Sequence, residues 1–155
     1  MTNVEEQIKA TDYALNLISY RKRSETEILN ALNKKGFDNE YIIHTINYLK
    51  ENKYIDDIDF TKSFISDKQN LNKYGPNKIK HELYKKGISK EIIDLCLIPD
   101  EELEYDMAME LACKKMKSYN NLDRNSIYRR LGGILQRKGY SYDIIVKVLD
   151  NILND

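Results

Sequence analysis

The chain has 155 residues with 25 basic and 25 acidic side chains, so its formal net charge is zero, and 41% of its residues are apolar. That apolar share is sufficient for a buried core and excludes a disordered chain. Zero net charge excludes a protein that attracts polyanions with its whole surface, so any such binding requires a local patch.

The first residues and the cysteines indicate where the protein works. Met1 to Glu6 lack the basic and apolar stretches of a signal peptide, and the longest purely apolar run, Leu95 to Ile98, has four residues. A membrane span requires about 20. Cys96 and Cys113 lack metal-binding spacing. We therefore expect a reduced, cytoplasmic protein that contacts no membrane, with Cys96 as a small buried side chain.

In chain order, the first predicted helix passes through Tyr13 and Ile18. Ser24 and Glu27 then form a capping box, with a serine N-cap and a glutamate three residues later, which begins the second helix. Gly36 ends that helix in the left-handed conformation after two lysines. The apolar spacing that follows predicts a third amphipathic helix.

The same three-helix order is predicted twice more. Asp56 is in position to cap a helix that carries Phe60, and the next helix starts after Gly75 with Pro76 in its first turn. Asp100 caps the first helix of the last set, where several acidic residues suit the helix dipole.

A motif of two basic residues and a glycine closes the second helix of every set. Its glycines are 51 and 52 residues apart, a period typical of repeated supersecondary units. Apolar residues stand eight and four positions before each glycine, and a predicted N-cap stands two positions after it. The motifs are Lys34-Lys35-Gly36, Lys85-Lys86-Gly87 and Arg137-Lys138-Gly139; the apolar pairs are Ile28 and Leu32, Ile79 and Leu83, and Leu131 and Leu135; the N-caps are Asp38, Ser89 and Ser141.

These patterns predict an all-α fold of three tandem three-helix repeats, spanning residues 1–52, 53–98 and 99–155. Strand-like alternation and hairpin turn pairs are absent from the sequence. One local conflict is the pair Gly132-Gly133, which lies inside a predicted helix near 123–138 and costs about 2 kcal/mol relative to alanines. Close helix packing or a local irregularity would account for it.

Basic residues concentrate in repeats 2 and 3. Seven lysines and one acid, Glu82, lie between Lys68 and Lys90, and five basic residues and one acid lie between Asp123 and Lys138. A single cluster of this kind is typical of a solvated helix face. Two clusters on equivalent helices favour a surface that meets a nucleic-acid backbone or a filament.

Catalytic patterns are weak throughout. His44 and His81 have no metal-ligand or nucleophile partner at a suitable spacing. The acidic residues from Asp56 to Asp59 resemble the start of a calcium loop, but its glycine and final glutamate are missing, which favours helix capping. The tyrosines are expected to pack in or beside the core. We therefore predict no catalytic residue, no metal site and no cofactor.

Several spaced motifs resemble the RecX family of bacterial regulators of the RecA recombinase, over about residues 10 to 153. They are Arg23-Ser24-xx-Glu27, Leu32-xxx-Gly36-Phe37, Tyr54-Ile55-Asp56-Asp57-xx-Phe60 and Gly75-xxx-Ile79-xxx-Leu83-xx-Lys86-Gly87-Ile88. The resemblance implies an elongated, curved array of three repeats that lies in the groove of the RecA–DNA filament. It also implies a protein without an active site that inhibits or modulates RecA ATPase, coprotease and strand exchange in DNA repair and the SOS response.

The basic faces of repeats 2 and 3 are the candidate partner surface. We expect a monomer whose partner is the RecA filament, with single- or double-stranded DNA as a further ligand of the same face. A stand-alone helix-turn-helix DNA-binding protein remains the alternative, because two helices joined at a glycine turn also describe that motif. The candidate residues are Lys73, Lys78, Lys80, Lys85, Lys86, Arg129, Arg130 and Arg137.

Overall fold

The protein is described here by a computed structural model covering residues 2–154. Within that range it contains nine α-helices and no strand, which confirms the all-α prediction. We call α1–α3 repeat 1, α4–α6 repeat 2 and α7–α9 repeat 3. The helices are α1 Asn3–Tyr20, α2 Glu25–Lys35, α3 Asn39–Glu51, α4 Asp57–Asn70, α5 Pro76–Lys85, α6 Lys90–Cys96, α7 Glu101–Met116, α8 Arg124–Arg137 and α9 Tyr142–Leu153.

The described residues divide into two compact units. The first unit contains residues 2–63 and 83–96, and the second contains residues 64–82 and 97–154. Each unit therefore holds one complete terminal repeat together with part of repeat 2.

The core of the first unit is formed by mutual packing of α1, α2 and α3. Two fully buried alanines, Ala10 and Ala14, give α1 a smooth inner face, so that the larger side chains of α2 and α3 can approach it. Ile28 and Leu32, the predicted apolar pair of α2, are both completely buried. The cluster consists of Ala10, Ala14, Ile28, Leu32, Ile42, Ile46, Leu49 and Ile55.

The core of the second unit is built in the same way from α7, α8 and α9. Helix α8 continues through Gly132 and Gly133. A Cβ atom on Gly132 would lie 3.6 Å from Cδ1 of Leu149 on α9, which is an ordinary van der Waals contact, so helix packing leaves room for alanine and does not explain this glycine. The buried cluster consists of Ala108, Leu111, Ala112, Ile127, Leu131, Leu135, Tyr140, Ile144, Ile145, Val148 and Leu149.

The three motif glycines adopt the predicted left-handed conformation, with φ of 97° at Gly36, 77° at Gly87 and 96° at Gly139. At each turn, the amide of the residue after the glycine donates to the carbonyl four residues before the glycine. These bonds are Phe37 N to Leu32 O at 3.3 Å, Ile88 N to Leu83 O at 3.1 Å and Tyr140 N to Leu135 O at 3.1 Å. The sequence repeat is therefore a repeat of backbone geometry.

Three local predictions were partly or wholly wrong. The tyrosines do not all pack in or beside the core, since Tyr20 and Tyr142 are 77% and 79% exposed. Asp38 and Ser141 occupy the predicted N-cap positions of α3 and α9 but make no side-chain capping bond, whereas Ser89 accepts a bond from the amide of Ile92. Cys96 is only half-buried. It is the last residue of α6, and Ile98, the residue before Pro99, is disfavoured from continuing the helix.

Repeat junctions and candidate partner surfaces

A contact inside the first unit joins the start of α2 to the glycine turn after α5. The hydroxyl of Ser24 donates to the carbonyl of Lys86 at 2.7 Å, and the hydroxyl of Thr26 donates to the carbonyl of Gly87 at 3.4 Å. Ser24 is completely buried, and its Oγ also accepts the amide of Glu27 as the N-cap of α2. One side chain therefore both begins a helix and ties it to repeat 2. We call this contact the first junction.

A small charge network surrounds the first junction. The carboxylate of Glu27 pairs with the guanidinium of Arg21 and lies 3.6 Å from Nζ of Lys86. Burial alone would raise the pKa of Glu27. The hydrogen bonds from Arg21 and from the Ser24 amide, together with the charges of Lys86 and Arg21, outweigh burial and hold that pKa below its ordinary value. Glu27 is therefore ionised at neutral pH.

An equivalent contact inside the second unit joins the start of α5 to the glycine turn after α8. The amide of Gly75 donates to the carbonyl of Lys138 at 2.7 Å, and the amide of Asn77 donates to the carbonyl of Gly139 at 2.9 Å. The acceptors match those of the first junction, but the donors are backbone amides instead of hydroxyls. We call this contact the second junction.

Tyr140 reinforces the second junction from the core side. Its hydroxyl donates to the carbonyl of Lys73 at 2.7 Å, and Lys73 itself has a positive φ of 57°. Burial, with the nearby charges of Glu104 and Glu110, raises the pKa of Tyr140 to about 12. The phenol therefore remains a hydrogen-bond donor throughout the neutral pH range.

The predicted partner residues fall into two groups. Lys73 and Lys86 form ion pairs with Glu110 and Glu27, and Lys78 packs its backbone and Cβ against Gly139. These three residues belong to the junctions or lie beside them. The other five are exposed and form no ion pair with any described residue: Lys80, Lys85, Arg129, Arg130 and Arg137.

Sequence reasoning missed a cluster of cations around one tyrosine of the second unit. The Nζ atoms of Lys78, Lys138 and Lys68 lie 4.4, 5.3 and 5.6 Å from the ring centre of Tyr74. We call these four residues the Tyr74 cluster. Lys68, Tyr74 and Lys78 lie within the predicted basic segment 68–90, but Lys138 is more than 60 residues away from Tyr74, and no sequence spacing indicates their convergence.

A cleft of about 400 Å³ lies in the second unit beside the second junction. Its walls include Lys80 and Lys147 together with the carboxylates of Asp100, Glu101 and Asp143. Lys80 therefore faces acidic as well as solvent surroundings, whereas the arginines of α8 do not line this cleft.

Other chemical groups remain dispersed. His44 and His81 are both exposed. No group of three or more metal-ligating side chains is present in the described part of the chain. Asp56 accepts the amides of Ile58 and Asp59, which is the capping role predicted for it. None of the helices within residues 2–154 is long and apolar enough to cross a membrane.

Comparisons with known proteins bear directly on this repeated architecture. Three sequence-family models match in chain order: the first three-helix domain of RecX over residues 10–49, the second over 56–97 and the third over 101–149. The chain belongs to the RecX family. This membership confirms the tandem three-helix repeat fold. The boundaries 1–52, 53–98 and 99–155 remain a prediction.

Individual RecX proteins are similar over most of their length. "Regulatory protein RecX" of Clostridioides difficile (strain 630) is 35% identical over 97% of this chain and 71% of its own length. That of Clostridium tetani (strain Massachusetts / E88) is 38% identical over 94% of this chain and 68% of its own. The crystal structure of RecX from Lactobacillus salivarius superposes with a TM-score of 0.84 at 29% identity, covering 96% of this chain and 97% of that one. The family is thus one of regulatory proteins.

Proposed function

We propose that this chain binds the RecA–DNA filament and modulates, mainly by inhibition, the recombinase, ATPase and coprotease activities of RecA. Membership of a family of regulatory proteins named RecX supports a regulatory role. The observation that carries the contact itself is a set of exposed cations on the second helices of repeats 2 and 3 that form no ion pair with any described residue.

Electrostatics favours α5 and α8 as the contact helices. Lys80 and Lys85 on α5, and Arg129 and Arg130 on α8, are exposed and form no ion pair with residues 2–154. Such side chains remain available to acidic protein surface or to phosphate, and exposed charges act mainly on association rate and specificity. Ion-paired Lys73 and Lys86 are better assigned to the fold than to the partner.

Repetition favours a polymeric partner. A second repeat that binds the same filament after the first does so as an intramolecular event, so its effective concentration is high. Individually weak contacts are then sufficient for tight binding. A filament presents a regularly repeated surface, which suits a chain of repeated units.

The test measures the ATPase of the recombinase on single-stranded DNA with increasing amounts of this protein. We expect the wild type to lower the ATPase, and K80E/K85E to require at least about tenfold more protein for the same effect. The matched control is K9E/K62E, which reverses two exposed lysines on α1 and α4. Equal inhibition by wild type and K80E/K85E would remove α5 from the contact, and no effect of the wild type would contradict the proposed function.

A gel-shift titration without recombinase distinguishes the proposed filament modulator from a stand-alone DNA-binding protein. Tight, sequence-dependent binding to a defined duplex would favour that alternative. Binding that requires a nucleotide-loaded filament would favour the modulator.

A further inference from the structure

We propose that the Tyr74 cluster is a phosphate-binding site of the second unit, distinct from the exposed cations of α5 and α8. Its elements are the three ammonium groups of Lys68, Lys78 and Lys138, held around one aromatic ring. The inference does not depend on any contact with a recombinase, because it concerns the ligand chemistry of a single unit.

The charges of this cluster are concentrated and uncompensated. All three ammonium nitrogens lie within 5.6 Å of the centre of the Tyr74 ring. None of the three forms an ion pair with a carboxylate of the described residues. The face of an aromatic ring attracts cations without cancelling their charge. An anion beside the ring is therefore attracted to each of the three ammonium groups.

The backbone holds the cluster in place. The amide of Tyr74 donates to the carbonyl of Lys68 at 3.0 Å, which fixes the ring relative to the end of α4. Lys78 packs on Gly139, and Lys138 accepts the amide of Gly75, so both follow the geometry of the second junction. The backbone segments that carry the three lysines are thus held in place before a ligand arrives, which lowers the entropic cost of binding.

The donor set selects phosphate over a carboxylate. The Nζ atom of Lys138 donates to the carbonyl of Asn72 at 2.9 Å, which leaves two of its three protons free. The amides of Gly75 and Asn77 at the start of α5 are already used by the second junction. Lysine ammonium groups are consequently the available donors. A phosphate has more acceptor oxygens than a carboxylate and can accept from three separate ammonium groups at once.

The phosphate has two possible sources, a polynucleotide backbone and a free polyphosphate such as that of a nucleotide. Both present the same chemistry to the lysines, and a Tyr ring beside them would add a stacking surface for a base of a single strand. The same three lysines would bind either form of phosphate, and the experiment below distinguishes the two.

The experiment measures fluorescence anisotropy of a labelled oligo-dT with the full chain at low salt and without recombinase. We expect K68Q/K78Q to weaken binding by about tenfold or more and to flatten the plot of log K against log salt by about 0.7, the value for one lost phosphate contact on a single strand. Tyr74→Phe should bind as the wild type does, and Tyr74→Leu more weakly. Far-ultraviolet circular dichroism checks that each variant is folded.

The matched control is K114Q/K115Q, which removes two exposed lysines of α7 in the same unit. Unchanged binding by the control, with loss in K68Q/K78Q, supports the site. Equal loss in both variants, or no binding of either oligo-dT or tripolyphosphate by the wild type, overturns it. Displacement of oligo-dT by tripolyphosphate with the same residue dependence identifies free polyphosphate as a ligand; displacement by unlabelled oligo-dT alone identifies the polynucleotide. Failure of this test leaves the recombinase proposal standing, since no recombinase is present.

Discussion

The two junctions have the same acceptors and different donors. In both, the carbonyls of a lysine and of the glycine after it receive two hydrogen bonds, from Ser24 and Thr26 in one unit and from Gly75 and Asn77 in the other. The donors are hydroxyls in the first junction and amides in the second, although each pair stands at equivalent repeat positions. A glycine turn thus preserves an acceptor geometry that either donor chemistry can satisfy.

Gly36 has the same backbone conformation as the two junction glycines but different surroundings. Its φ resembles that of Gly87 and Gly139, but a Cβ atom on Gly36 would meet nothing within 4 Å. The conformational requirement is therefore common to all three turns, whereas close contact is confined to the two that form junctions.

The largest expected effects come from replacing these glycines by alanine. All three variants should lose about 1–2 kcal/mol of unfolding free energy because alanine disfavours the left-handed conformation. A Cβ on Gly139 would lie 2.4 Å from the Lys78 backbone nitrogen, and one on Gly87 would lie 2.1 Å from the Thr26 hydroxyl. Overpacking then adds about 1–3 kcal/mol. Urea unfolding should rank the losses G139A, then G87A, then G36A, because backbone yields less readily than a side chain.

An equal loss of unfolding free energy in all three alanine variants would contradict this distinction. It would mean that backbone conformation alone explains the glycines and that the junctions contribute little.

The next largest loss of stability is expected when a hydroxyl donor of the first junction is removed, because the second junction has backbone amides in its place. Ser24→Ala removes the α2 cap, which costs about 1 kcal/mol, and leaves the Lys86 carbonyl without its donor, which costs about 1–3 kcal/mol. The control Ser24→Thr keeps a hydroxyl and should restore most of the loss in a thermal unfolding experiment. At Gly75 the equivalent donor is a backbone amide, which an alanine substitution leaves in place, so this junction has no side-chain donor to delete.

Sequence patterns predicted the left-handed glycines and the Ser24 capping box because these depend on residues within a few positions of one another. They did not predict what the turns contact. Thr26 meets Gly87, and Lys78 meets Gly139, across about 60 residues of chain. The same limit applies to Lys86, whose ion pair with Glu27 the sequence did not indicate. Charge runs indicate where cations are, whereas their pairing depends on tertiary packing.

A smaller loss of stability is expected when the Tyr140 hydroxyl, which reinforces the second junction, is removed. Tyr140→Phe removes the bond to the Lys73 carbonyl and should cost about 1 kcal/mol at neutral pH. Because the folded pKa of Tyr140 is raised to about 12, the tyrosine favours the folded state below its unfolded pKa and loses that advantage as the pH rises toward the folded value.

The stability difference between wild type and Tyr140→Phe should therefore be constant below about pH 10 and shrink above it. Urea unfolding at a series of pH values measures this difference. A difference that grows with pH would show that the Tyr140 hydroxyl is ionised in the folded protein.

The central claim is that the carbonyls of a glycine turn accept hydrogen bonds from the start of a helix in the preceding repeat. Hydrogen exchange at the amides of Gly75 and Asn77 tests this claim most directly. If these amides donate to Lys138 and Gly139, they should exchange as slowly as the core amides of α8 and α9, and G139A should speed both. Exchange at the rate of free amides in the wild-type protein would contradict the second junction, and with it the structural basis of the Tyr74 cluster.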